Sequence, residues 1–328
     1  MKIAVIGSGS WGTAVALLLA KKDYDIYLWS WKQEETDRLN RDRENKEFLP
    51  GSKFPENIIC SHDMGFCVDG AELVITVVPS IATRSTAKEL SKYVKQGQKL
   101  LNISKGLEEK TLLRLSEVYS QEIPQADISV MSGPSHAEEV CKGLPTTNVV
   151  ASRSVETAKY IQNLLISECF RIYTSDDIMG VELGGALKNV IALCAGICDG
   201  LGYGDNTKAA LMTRGIAEIK RLGVKMGARA ETFSGLSGIG DLIVTCTSMH
   251  SRNRRAGILI GEGHSLDETL EKVHMVVEGV NTASAAYELS KKYGVSMPIV
   301  HEAYDILFSG KAPRDAVKEL MTREGKSE

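Results

Sequence analysis

The sequence predicts an α/β fold: a doubly wound parallel sheet with helices on both faces, followed by an all-helical second domain. Three observations predict it. Strand-like and helix-like stretches alternate through the first half, as in sheets built from crossover units. After Asp176 the strand signals fade while helical patterns continue. A glycine-rich turn stands directly between the first strand and the first helix. At 328 residues and about 150 residues per domain, two domains are expected. The change of pattern divides them into 1–180 and 181–328.

The elements follow in order. Residues 2–6 form a short apolar run ending at Gly7, and 10–22 are Ala- and Leu-rich with helical character. Residues 25–29 read as a second strand and 33–43 as a polar helix. Further buried strands are expected at 71–78, 99–104 and 128–131, with weaker ones at 147–151 and 171–174. Helices are expected at 82–94, 111–120 and 155–165. Beyond the change of pattern, 181–198, 208–226, 282–293 and 299–308 read as helices joined by Gly-rich loops.

Composition narrows the function classes. The chain is 43% apolar and 25% charged, with 30 Gly and 8 Pro, which excludes a collagen, a coiled-coil rod and a mostly disordered chain. A net charge of -3 and a pI near 6.1 argue against nucleic acid as the main partner. The best continuous apolar run, 190–198, falls short of the roughly 18 residues a membrane span needs, so no span is expected. The N-terminus lacks the core of an export signal. Seven cysteines are scattered without a C-x-x-C, and Cys194 and Cys198 lie one helical turn apart in an apolar run. They read as packed thiols, with no disulfide, no metal and a cytoplasmic setting as the expectation.

Gly7-Ser8-Gly9-Ser10-Trp11-Gly12 matches G-x-G-x-x-G in strand–turn–helix context. Gly7 suits a tight turn, Gly9 lets a pyrophosphate approach the backbone, and Gly12 lets helix and strand pack closely. The helix N-terminus offers N–H groups and partial positive charge to phosphates. An NAD-preferring site has an acid at the end of the second strand; here Ser30-Trp31-Lys32 occupies that place. Lys32 can meet a 2′-phosphate, so the sequence leans to NADPH/NADP, with NADH/NAD open. The competing readings are that Glu34 or Glu35 reaches back, or that Lys32 is a solvated surface charge.

A second constellation lies downstream. Lys188 sits in a helix with Gly184, Gly185, Ile191 and Ala192 one turn away. The small residues leave room beside it and the apolar ones remove water. A buried ammonium needs a partner or an anion, or loses its proton, and these outcomes suit a proton donor. The alternative is a lysine that snorkels to the surface. Asp241 follows a Gly-rich turn, and Ser251 is a helix N-cap candidate, with Arg252 and Asn253 in the first turn. That pairing suits a phosphate, against the alternative of an exposed basic run, which is how Arg254 and Arg255 read.

Taken together, these segments resemble the NAD(P)-dependent glycerol-3-phosphate dehydrogenases, the bacterial type in particular. The resemblance runs nearly end to end. It rests on GSGSWGTA from Gly7, SKGLE from Ser104, GPSHAEEV from Gly133, GALKN from Gly185, GLGYGDNTKAAL from Gly200, GIGDLIVTC from Gly238 and SRNRR from Ser251. It implies an N-terminal Rossmann domain and a C-terminal helical domain like that of 6-phosphogluconate dehydrogenase. It also implies reversible reduction of dihydroxyacetone phosphate to sn-glycerol 3-phosphate for glycerophospholipid synthesis, by a homodimer.

Residue by residue, the resemblance makes Lys188 the catalytic lysine and Lys105 a second lysine contacting substrate and cofactor. It makes Asp241 the carboxylate that holds the catalytic lysine or a substrate hydroxyl. Ser251, Arg252 and Asn253 become the phosphate clamp, Arg252 also meeting the cofactor, and Gly133 and Ser135 a loop beside the substrate. Besides Gly7, Gly9 and Gly12, the cofactor contacts implied are Ser10, Trp11, Ala137, Val276 and Glu278, with Trp31 and Lys32 where many members carry His or Arg. His136, beside this loop, reads as a positioning or packing residue rather than a general base.

Three alternatives remain at this point. One is a related dehydrogenase of a β-hydroxyacid or 2-ketopantoate, which would lack SRNRR in this context. Another is a sensor of the NADPH/NADP ratio without turnover, which would need the glycine turn but not Lys188, Asp241 and Arg252 together. A structural or interaction protein leaves the whole set unexplained.

Overall fold

Lys2–Ile6 forms the first strand, β1, and its alternation sets the layering of the sheet. Ile3 and Val5 pack on one face with the helix Ser10–Ala20 (α1), while Ala4 and Ile6 pack on the other with Met64, Cys67 and Tyr119. A strand buried on both faces needs apolar residues at every position, and this one has them. The chain is described here from a computed structural model covering residues 1–325. It divides into two compact units, one of Met1–Glu108 and Leu113–Glu182, the other of Glu109–Leu112 and the chain from Leu183.

The first unit holds an eight-stranded sheet: β1, β2 (Asp25–Trp29), β3 (Ile58–Ser61), β4 (Leu73–Thr76), β5 (Lys99–Asn102), β6 (Asp127–Ser132), β7 (Thr146–Ser152) and β8 (Phe170–Ser175). Their order is β3-β2-β1-β4-β5-β6-β7-β8. The first six strands thus follow the doubly wound order, in which direction reverses at β1 and ligands bind beyond the carboxyl ends there. Ile3 pairs with Ile26 on one side and Leu73 on the other. That reversal places the Gly7 turn at the switch point.

Three features differ from expectation. β7 runs antiparallel to β6. Residues 133–145 between them hold only the four-residue helix Ala137–Val140, too little for the crossover a parallel return requires. β3 and the helix Met64–Val68 were not expected; β3 is a four-residue edge strand with Ile59 exposed. The helix expected at 111–120 starts at Leu115, because Leu112 takes a positive φ of 61°, outside helical space.

The second unit is helical among the described residues, through Asp205–Met226, Asp241–Thr247, Arg252–Gly261, Glu278–Tyr293 and Pro298–Phe308. Its axis is the helix Ile178–Gly200, which begins in the first unit and is buried from Gly180 to Cys198. By length and composition this helix could cross a membrane, contrary to the expectation from continuous apolar runs, but its apolar stretch is wholly buried within the fold.

Two glycine pairs bring Ile178–Gly200 and Arg252–Gly261 together. A Cβ on Gly196 would lie 2.0 Å from the Arg254 carbonyl oxygen, and one on Gly257 would lie 2.0 Å from that of Leu193. Gly200 and Gly261 face the Ile258 and Ile197 carbonyls at 2.2 and 2.4 Å in the same way. Backbone therefore meets backbone at this crossing.

Glu218, on Asp205–Met226, is buried and caps another helix. Its carboxylate accepts the N–H groups of Ile299 (3.0 Å) and Val300 (3.3 Å) in the first turn of Pro298–Phe308. Burial pushes its carboxyl up to about 7, against the pull of these bonds and of Arg221 and Arg323. The folded state thus holds this proton more tightly than the unfolded chain does. The contribution is complete below the ordinary glutamate range and is lost as pH rises through about 7. Urea titrations between pH 5 and 8 are expected to show wild type losing about 3 kcal/mol more than Glu218→Gln. Equal losses would mean that Glu218 does not titrate in this window.

Candidate active site

The turn after β1 has room where a phosphate needs it and none elsewhere. Gly7 takes a φ of 126°, and a Cβ there would stand 2.7 Å from the Val77 carbonyl oxygen. One on Gly12 would lie 2.0 Å from the Gly7 carbonyl oxygen, whereas one on Gly9 would meet nothing within 4 Å. The open face at Gly9 is the close approach that a pyrophosphate requires. Gly9 caps α1 without a side-chain bond, and the first turn, Ser10 and Trp11 included, carries no acid. Its N–H groups and dipole can thus receive an anion. These residues fit a dinucleotide.

The underside of the turn is tied down. Asn45 Nδ2 donates to the Ser8 carbonyl (2.7 Å) and to Thr13 Oγ1 (2.9 Å). Ser8 Oγ donates to Glu35 Oε1 at 2.7 Å. Glu35 belongs to the helix Gln33–Asp42 (α2) and is buried. An acid absent from the end of β2 thus stands in the first turn of α2, bonded to the glycine turn. Trp31 is 70% exposed, with Lys32 Nζ 4.5 Å from its ring centroid.

Lys105 and the Gly133 loop meet in the same unit. Lys105 Nζ and Ser135 Oγ each donate to the Gly133 carbonyl at 2.9 Å. Gly133 has a φ of 146°, and a Cβ would lie 2.8 Å from Asn148 Oδ1, so glycine is required. Arg84 holds the segment beyond Lys105 by two 2.7 Å bonds to Glu108. His136 precedes Ala137–Val140, and its carbonyl accepts from Glu139 and Val140. Ala137 lies in the buried cluster against which Trp11 packs.

In the second unit Lys188 is 5% exposed. Its ammonium forms a buried ion pair with Asp241 and donates to Thr245 Oγ1 at 2.5 Å. Thr245 Oγ1 donates in turn to the Asp241 carbonyl at 2.6 Å. Gly184 does not merely leave room: a Cβ there would stand 2.4 Å from the Ser237 carbonyl oxygen. The freed space seats Leu236–Gly240, a turn of π-helix that delivers Asp241 at the start of the next helix. The alternative of a snorkelling lysine does not hold.

Ser251 caps Arg252–Gly261 by accepting the Arg254 N–H at 3.2 Å, and the first turn carries no acid. Arg252 Nη1 donates to the Val276 carbonyl at 3.1 Å, which brings the arginine beside Val276 and the start of Glu278–Tyr293. The Asn253 side chain is used within the fold. Its Nδ2 donates to Asn189 Oδ1 at 2.9 Å, and its Oδ1 accepts from the Gly279 N–H at 2.8 Å. What Asn253 keeps for a ligand is its N–H in the first turn. Arg254 is no surface charge: Nε donates to Asp199 at 2.8 Å and Nη1 to the Thr247 carbonyl at 2.6 Å.

Sequence reasoning missed Thr245 and Asn189, and it left open whether Glu34 or Glu35 reaches back; Glu35 is the one turned inward. Thr245 stands four residues after Asp241 and so shares its helix face, a signal that was available. All seven cysteines are free thiols, and burial pushes the Cys198 thiol up to about 11. Among the described residues no group of three or more His, Cys, Asp or Glu is placed to hold a metal ion.

Residues 2–158 match the family model described as NAD-dependent glycerol-3-phosphate dehydrogenase N-terminus, and 177–318 match its C-terminus. A glycerol-3-phosphate dehydrogenase [NAD(P)+] of Agathobacter rectalis is 52% identical over 327 residues, covering 100% of this chain and 97% of the relative. The enzyme of the same name from Moorella thermoacetica is 55% identical over 321 residues, covering 98% and 96%. A crystal structure of glycerol-3-phosphate dehydrogenase from Coxiella burnetii superposes with a TM-score of 0.95 at 37% identity, covering 98% of this chain and 99% of that one.

Removing one partner of a buried ion pair strands the other. Asp241→Asn is expected to lower the unfolding free energy by about 3–5 kcal/mol, and Lys188→Met with Asp241→Leu to recover most of it. Denaturation midpoints of the single and double variants check this; an unchanged midpoint in Asp241→Asn contradicts it.

Proposed function

The chain belongs to the NAD-dependent glycerol-3-phosphate dehydrogenase family, and from that premise we propose that it reduces dihydroxyacetone phosphate to sn-glycerol 3-phosphate, reversibly, with NAD(P)H. Bound at the glycine turn, NAD(P)H supplies the hydride that enters at C2 of the substrate. Gly7, Gly9, Ser10, Trp11 and Gly12 hold it there, with Ala137, Val276 and Glu278 as further contacts. Lys105, with Gly133 and Ser135 beside it, serves the substrate, and Lys105 also serves the cofactor.

The observation that carries the reading to a mechanism is the Lys188 ammonium held by Asp241 and Thr245. As the C2 carbonyl becomes an alkoxide, negative charge gathers on its oxygen. Lys188 Nζ polarises that oxygen and gives it a proton, so that C2 gains hydrogen and the oxygen becomes a hydroxyl. Asp241 fixes the amine and keeps its proton-bearing form stable in an apolar setting. Asp241 and Thr245 both accept from the ammonium and so fix its orientation. Water then restores the proton to Lys188.

Arg252 and the first-turn N–H groups behind Ser251 take the phosphate, at the far end of the substrate from the reacting oxygen. Binding energy gained there orients C2 and lowers the barrier. An uncharged substrate analogue forgoes it. The reading extends to a cytoplasmic homodimer feeding glycerophospholipid synthesis. Its support is the sequence resemblance, together with seven free thiols that suit a reducing compartment.

The test follows the absorbance of the reduced nicotinamide with dihydroxyacetone phosphate, once with NADPH and once with NADH; absence of oxidation with both overturns the reading. Lys188→Ala is expected to lose at least about 10²-fold in kcat, and near-normal turnover would take Lys188 out of the chemistry. Arg252→Ala is expected to lose about 2–5 kcal/mol in kcat/KM. Equal turnover of phosphate-free dihydroxyacetone by wild type would refute the clamp.

A further inference from the structure

Two opposite charges stand beyond the end of β2, and the sequence left open which acid, Glu34 or Glu35, turns back toward it. Lys32 is exposed and stacked over Trp31. Glu35, three residues on, is turned inward and bonded to Ser8 of the glycine turn. Its neighbour Glu34, on the same helical turn, faces solvent. A carboxylate is costly to bury, and one hydrogen bond does not satisfy it. Glu35 Oε1 takes the Ser8 hydroxyl, and no donor among the described residues meets Oε2.

A dinucleotide held by its pyrophosphate at Gly9 directs its adenosine ribose toward the end of the second strand, where an acid accepts the ribose hydroxyls of NAD and a cation accommodates the 2′-phosphate of NADP. Glu35 is the acid in that corner and Lys32 the cation. The ribose diol of NADH can donate to Glu35 Oε2. The 2′-phosphate of NADPH is repelled by the same carboxylate and attracted by Lys32.

We propose that Glu35 is a specificity-determining residue that favours NADH, set against Lys32, which favours NADPH, so that the chain accepts both dinucleotides. This takes up the competing reading, that Glu35 reaches back, against the lean to NADPH drawn from Lys32 and the absence of an acid at the strand end. The inference rests on dinucleotide binding at the Gly7–Gly12 turn, as proposed above. The rival role for Glu35 is a prop for Ser8. A prop shapes the pyrophosphate site, which the two cofactors share, so its loss affects both alike.

The experiment titrates wild type, Glu35→Gln, Lys32→Gln and Glu34→Gln with NADH and with NADPH, following the fluorescence of the reduced nicotinamide, and compares kcat/KM for the two cofactors. Glu35→Gln is expected to shift the ratio of the two dissociation constants about tenfold or more toward NADPH. Lys32→Gln is expected to shift it toward NADH, and Glu34→Gln to leave it in place. Ser8→Ala removes the bond but keeps the carboxylate, so it is expected to hold the ratio or move it toward NADH; this covers a Glu35→Gln that fails to fold. Equal weakening of both cofactors in Glu35→Gln, or a shift of the ratio toward NADPH in Ser8→Ala, with wild type binding and turning over normally, overturns the inference alone. A wild type that binds neither dinucleotide overturns the reading beneath it as well.

Discussion

The Lys188 ammonium lies in the wall of a helix that is buried from Gly180 to Cys198, and a charge in such a place has to be neutralised where it stands. Much of the local architecture serves that requirement. Gly184 gives up its side chain so that the Ser237 backbone can approach. The π-turn Leu236–Gly240 then sets Asp241 at the start of a helix, and Thr245 follows one turn later on the same face. Arg254 and Lys208 meet at Asp199, which fixes the start of Arg252–Gly261 against the same long helix. The amine, its counter-ion and the arginine are thus supported by one shared element.

The first unit handles charge differently. At the Gly7 turn the protein offers backbone N–H groups and an uncovered Gly9, with no cation in the turn itself. Side-chain charge stands at the rim, as Lys32 outside and Glu35 inside. Backbone dipoles serve what all dinucleotides share, and side chains serve what distinguishes them. Ser8 connects the two, because its carbonyl is held by Asn45 and its hydroxyl by Glu35.

Much of this was legible in the sequence. The G-x-G-x-x-G turn, the Ser251 cap and the placing of Lys188 among small and apolar residues each depend on neighbours within a few positions. A local pattern reveals what local physics fixes. β3 escaped notice because a four-residue edge strand carries little hydrophobic signal. The antiparallel β7 escaped because strand direction is set by the connection, and its composition is the same either way. Glu35 and Glu34 are chemically alike and adjacent; which of them turns inward depends on where α2 lies against the turn after β1, separated by over twenty residues. Asn253 read as a ligand residue, yet its amide bridges Asn189 and Gly279, contacts far apart in sequence. The family resemblance reached function sooner than any of these, since several ordered motifs constrain one another even when each alone is weak.

The crossing at Gly196, Gly200, Gly257 and Gly261 has an evolutionary corollary. Where side chains separate two helices, swapping a leucine for an alanine lets their spacing drift in small steps. Here carbonyl oxygens already sit where a methyl group would go, so the smallest available change is too large. The interval between these two rods is in effect quantised. Lineages adapting this scaffold to longer or shorter molecules must therefore lengthen loops or exchange side chains at the rim, while the rods themselves stay at a fixed gauge.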